Sequence, residues 1–172
     1  ILNAKNKINK DYRKDAYHEA GHAILADYFG LNWQEISIER SEDGTKDGHI
    51  LADDFENKEE NCLKCAAYLM AGLESAILFS GCDAGDAFAG ASEDFKKLNE
   101  FCNQFPRENE EELVEVDDTW VMKGQIEAAR ILRLDNNKQK IEKLVEILIE
   151  KKTITRAEYD AVCKEMEKKD EC

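Results

Sequence analysis

Apolar residues along the chain recur mainly at helical spacing. In the stretch "DAYHEAGHAILADYF", Ala23, Ile24 and Leu25 extend an apolar helix face, and the pattern predicts a helix over about residues 9–29 that stops at Gly30. The pattern then changes. Ile36 and Ile38 alternate with polar neighbours, as do His49 and Ile50, and "SEDGTKDG" between them is rich in turn residues. That predicts a β-hairpin or two-stranded edge. Helical spacing returns over about residues 59–79. The segment "SGCDAGDAFAGA" is expected to be a loop, followed by a helix from Ala91 or Ser92 that Pro106 closes. Three further helices are expected, over about residues 120–134, 138–151 and 155–168. Asn136 and Asn137 should break the first two apart. Thr155 and Glu158 have the spacing of a capping box for the last. One proline and nine glycines are few breakers, so the expected fold class is mainly α with a small β-hairpin or sheet.

Length and composition narrow the class. The 172 residues suit a single domain, read as a part over 1–118 followed by C-terminal helices over 119–172. An apolar share of 42% is that of a globular chain. The net charge of −14 argues against nucleic acid as a partner, because neutralising phosphates requires clustered Lys and Arg. It disfavours acidic membrane surfaces for the same reason. The longest apolar run, residues 66–80, contains Glu74 and is shorter than a membrane span, so no membrane segment is expected. Residues 107–118, "RENEEELVEVDD", read as a solvated acidic surface or helix start. Of six cysteines, only Cys62 and Cys65 form a C-x-x-C pair, and no second pair completes a four-cysteine metal site. They read as reduced, largely buried thiols, which points to a reducing compartment and an expected cytoplasmic location.

The chemistry concentrates in "HEAGH". On a helix, residues i and i+4 share a face, so His18 and His22 can direct two imidazoles at one metal ion. Zinc takes such nitrogens at about 2.0–2.1 Å, and its catalytic sites use three protein ligands. Glu19, beside the first histidine, is placed to act as general base on water activated at the metal. The small residues Ala20 and Gly21 admit a close neighbour. The surrounding apolar residues imply partial burial, where an unpaired histidine pair would be costly. A third ligand is required. His49, Asp83, Asp86, Glu93 and Asp94 all remain candidates on chemistry alone.

The string "AYHEAGHAI" resembles the protease domain of the FtsH family of ATP-dependent zinc metallopeptidases, the M41 peptidases. In that family an aspartate in a G-A-x-x-D motif downstream supplies the third ligand, and "GASEDF" here matches it, which carries the role to Asp94. "EISIERSEDGTKDGHI" resembles the family's glycine-marked strand beside the substrate cleft. "YLMAGLESAILFSG" resembles its helix with a central glycine, and "AARILRLDNNKQKIEKLVEILIEKKTITRAEYDAV" its last helices. The resemblance implies a helical zincin-type fold and a bound Zn²⁺ held by His18, His22 and Asp94, with Glu19 as catalytic base. It also implies hydrolysis of peptide bonds in unfolded or flexible polypeptides. This chain carries no G-x-x-x-x-G-K-[ST] loop, so any unfolding would fall to a separate ATPase partner. Association into a homo-oligomer is admissible. The competing expectation is a catalytically inactive or regulatory peptidase-like module acting in protein assembly.

Overall fold

The computed structural model describes residues 2–39, 48–105 and 118–170. The chain is mainly helical, with a small antiparallel sheet of three strands. Helix α1 (Leu2–Phe29) starts earlier than the periodicity indicates and ends where expected, with Gly30 in the left-handed conformation at φ 72°. Strands β1 (Trp33–Ser37) and β2 (His49–Ala52) form the expected antiparallel pair, with Ile36 opposite Ile50 and Ser37 opposite His49. An irregularity between Trp33 and Glu35 shifts the register. Of the turn-rich segment expected over residues 41–48, residues 41–47 lie outside the described residues.

A single helical run follows. It comprises a short 3₁₀ turn (Glu59–Asn61), helix α2 (Cys62–Ser75) and a π turn (Ala76–Ser80), and it stops at Gly81 with φ 74°. Its 22 residues match the helix expected over about 59–79, and by length and composition it could cross a membrane. Its apolar residues are used in packing, however: Ala66, Ala67, Met70, Ala71 and Leu73 are all fully buried.

The segment expected to be a loop instead forms helix α3 (Ala84–Gly90). Asp83 makes this possible, because its carboxylate accepts the Asp86 N–H at 2.9 Å. Helix α4 (Ser92–Cys102) begins at the expected place. Pro106 and residues 107–117 of the acidic run lie outside the described residues. Helices α5 (Asp118–Leu132) and α6 (Asp135–Lys151) are separated at Arg133 and Leu134, not at the asparagines. Asn136 and Asn137 belong to the first turn of α6, and the Asn137 side chain donates to the Ile131 carbonyl at 2.9 Å.

The third strand, β3 (Thr153–Thr155), was not anticipated. It pairs with β1 on the side opposite β2, placing Ile154 beside Ile36. Lys152, at φ 69°, turns the chain from α6 into β3, and its carbonyl accepts the Ile38 N–H at 2.8 Å. Helix α7 (Arg156–Asp170) then starts on the anticipated capping box. The Thr155 N–H donates to Glu158 Oε2 at 2.9 Å, and the Glu158 N–H donates to Thr155 Oγ1 at 3.4 Å.

Two apolar clusters organise these elements. One joins α1 and the sheet to α5, α6 and α7 through Ile24, Ile36, Ile131, Leu144, Ile154 and Tyr159. The other joins α2 to α3 and α4 through Met70, Leu73, Ala87 and Leu98. Helix α2 lies between α1 and α5, and glycines allow both close approaches. A Cβ on Gly21 would strike the Ala71 carbonyl, and one on Gly124 would lie 2.6 Å from the Ala66 carbonyl oxygen. The result is that one face of α1 is pressed against α2 beside β2, an edge strand among the described residues.

Candidate metal centre

His18 and His22 leave α1 on one face, and their Nε2 atoms stand 3.2 Å apart. Asp94, in the first turn of α4, brings Oδ2 to 3.1 Å from His18 Nε2 and 3.4 Å from His22 Nε2. A tetrahedral zinc ion with bonds of about 2.0–2.1 Å spaces its ligands about 3.3–3.4 Å apart. The three donor atoms therefore already stand close to the spacing that a single ion requires. Among the described residues, His18, His22 and Asp94 form a group able to hold a metal ion.

The surroundings prepare these ligands. The His22 ring donates Nδ1–H to the Tyr68 carbonyl at 2.9 Å, which leaves Nε2 of the neutral ring with its lone pair free. The Tyr68 ring also packs against His22, with centroids 5.3 Å apart. The N-terminal turn of α4 favours a negative charge at Asp94. Gly72 provides the room: a Cβ there would fall 2.5 Å from His22 Nε2 and 2.6 Å from His18 Cε1. Gly48 does the same for Glu19, since its Cβ would lie 3.0 Å from Glu19 Oε1.

Burial and charge compete in this cluster. Burial alone would lower the His22 pKa, but the Asp94 and Glu19 carboxylates and the Tyr68 carbonyl together outweigh that and push it up to about 9. Asp94 is affected in the opposite sense. Its burial is overcome by the two histidines, which hold it well below the usual carboxylate range. Glu19 is only 5% exposed, and burial raises its pKa even though His18 and His22 pull it down. A carboxylate destabilised by burial has more to gain from accepting a proton.

The cluster opens into a cleft of about 370 Å³, with Glu19 and the three candidate ligands on one wall and Gly48, His49 and Ile50 of the β2 edge on another. The remaining candidate ligands do not join the cluster. His49 is on β2, roughly half exposed, with Nε2 3.8 Å from Glu35 Oε1. Asp83 caps α3, Asp86 is exposed on α3, and Glu93 is exposed at the cleft rim. The Tyr68 carbonyl has no signature in the sequence, because a backbone acceptor carries no residue-type signal. Glycines at 48 and 72 were visible, but their positions against Glu19 and the histidines were not.

Comparison of the chain with protein-family models and with curated proteins found no match.

Two outcomes follow from the geometry. G72A should keep its far-UV circular dichroism but bind zinc at least about tenfold more weakly, because the methyl group displaces the rings. Titration of metal-stripped protein against a chromophoric chelator checks this. The second outcome concerns pH. Metal must displace the proton that Asp94 helps to hold on His22 up to about pH 9. The apparent zinc affinity should therefore rise between pH 6 and 9, by up to about tenfold per unit. The same chelator competition, repeated across that range, measures it.

Proposed function

We propose that this chain is a zinc metallopeptidase domain of the zincin type, similar to the FtsH family, that hydrolyses peptide bonds in unfolded or flexible polypeptides. One observation carries the reading: the two histidines of HEAGH and a distant aspartate meet at zinc-ligand spacing, in a cleft that also holds the buried Glu19. A metal used only for stability would have no need of a buried base beside it.

His18, His22 and Asp94 would hold the ion. When bound there, zinc supplies Lewis acidity, polarising the scissile carbonyl and making water more acidic. Tyr68 holds the His22 ring in orientation through its carbonyl. Glu19 takes the proton from the attacking water onto its carboxylate. It later delivers that proton to the leaving amine, so one buried group serves as base and then acid. Extended substrate lies along β2, whose edge away from β1 is unpaired among the described residues and can form main-chain hydrogen bonds with an added strand. The cleft narrows the substrate to extended, flexible chain, since a folded domain cannot lay a strand against β2. Where native proteins are substrates, a separate unfoldase would have to supply that extended chain.

E19Q separates catalysis from metal binding. It should retain zinc at the wild-type stoichiometry while cleavage of unfolded casein falls by about 10²–10⁴-fold. Cleavage at the wild-type rate would overturn Glu19 as the base. A zinc-loaded wild type that cuts no unfolded polypeptide would favour the inactive, assembly-related reading.

A further inference from the structure

A second cavity, of about 390 Å³, adjoins the metal cleft. Ile50, Tyr68, Leu69 and Lys97 line both, so the two spaces meet along the same strand edge. Tyr68 ties them closely, because the residue whose carbonyl orients His22 also presents its side chain to the second cavity. The metallopeptidase reading does not use this space.

The walls of the cavity are aromatic and its rim is acidic. Phe55 and Tyr68 meet at 5.9 Å in a T-shaped pair, and Phe101 lines the space as well. Asp53, Asp54 and Glu100 also line it, against one ammonium group, that of Lys97, leaving an excess of two negative charges. Asn57 donates to Gln104 Oε1, and this amide pair joins two more of the lining residues. A cavity lined by both aromatic rings and carboxylates suits a side chain with an apolar stem and a cationic head. They repel a carboxylate, and a purely apolar side chain leaves the acidic rim unpaired. Guanidinium suits the arrangement better than ammonium, because its plane stacks on rings while its N–H groups pair with carboxylates.

We propose that this cavity is a specificity pocket for a basic side chain, arginine above lysine, on a residue near the peptide bond that the metal cleft addresses. The proposal rests on the metallopeptidase reading only for the peptide bond it names. The recognition itself does not depend on turnover, and the test uses that independence.

Binding of fluorescein-labelled heptapeptides to E19Q, read by anisotropy, isolates recognition from cleavage. The peptides differ only at the central residue, which is arginine, citrulline, phenylalanine or glutamate. The arginine peptide should bind about tenfold more tightly than the citrulline peptide, which keeps the shape and loses the charge. D54N and E100Q, made singly in the E19Q background, should each shrink that ratio. E142Q in the same background, which removes an equal charge from exposed α6, should leave the ratio unchanged and so control for the overall acidity of the chain. Equal binding of arginine and citrulline peptides would overturn the proposal, as would no detectable binding or equal responses to D54N and E142Q. Cleavage by the wild type without basic preference would also overturn it and leave the peptidase reading standing. Selective arginine binding by a wild type that cuts nothing would do the reverse.

Discussion

The site depends on one constraint, the close crossing of α1 and α2. Gly21 on α1 lets the Ala71 carbonyl of α2 come nearer than any side chain would permit. One residue further along, Gly72 leaves the volume that the His18 and His22 rings occupy, and a turn earlier Tyr68 turns a carbonyl toward His22. A methyl group at either glycine would force the helices apart or the rings aside. The apolar packing of α2 against α1, α4 and α5 holds the crossing at that distance. The histidine pair is thereby kept where burial would otherwise be unfavourable, since a buried polar group without a partner costs about 1–3 kcal/mol.

Asp94 then resolves a problem that the crossing creates. Two imidazole nitrogens 3.2 Å apart in a mostly dry wall need either a shared proton or a shared cation. With Asp94 alongside, the metal-free cluster keeps a proton on His22, and a divalent ion can take that proton's place. The same burial that makes the histidines dependent on Asp94 raises the proton affinity of Glu19. The candidate ligand set and the proposed base therefore share one physical cause: α1 turns its HEAGH face inward instead of toward water.

Parts of this were legible in the sequence because they are local. Histidines at i and i+4 with a glutamate between them specify a shared face for the two rings and a neighbouring carboxylate, whatever lies around them. Gly30 as a helix stop and the Thr155–Glu158 capping box are likewise settled within a few residues. The elements missed depend on distant partners or weak local signals. Strand β3 has three residues, and only its pairing with β1 makes it a strand. Helix α3 contains three glycine or acidic positions that read as loop, until the Asp83 cap is counted. The asparagines at 136 and 137 start a helix because Leu134 is extended and the Asn137 side chain bonds back to Ile131. No spacing rule singles out Asp94 among the nearby carboxylates. A resemblance suggested it, and α4 brings it to the histidines through packing of Leu98 and Cys102 against α2.

Zinc content most directly tests the claim that an aspartate completes this centre. Protein purified without chelators, and its D94A variant, should be measured by mass spectrometry of the metal, with circular dichroism confirming that both are folded. Wild type is expected to hold about one zinc per chain and D94A to lose most of it, as removal of one of three protein ligands requires. Equal zinc in both proteins, or none in the wild type after zinc is supplied, would contradict the account.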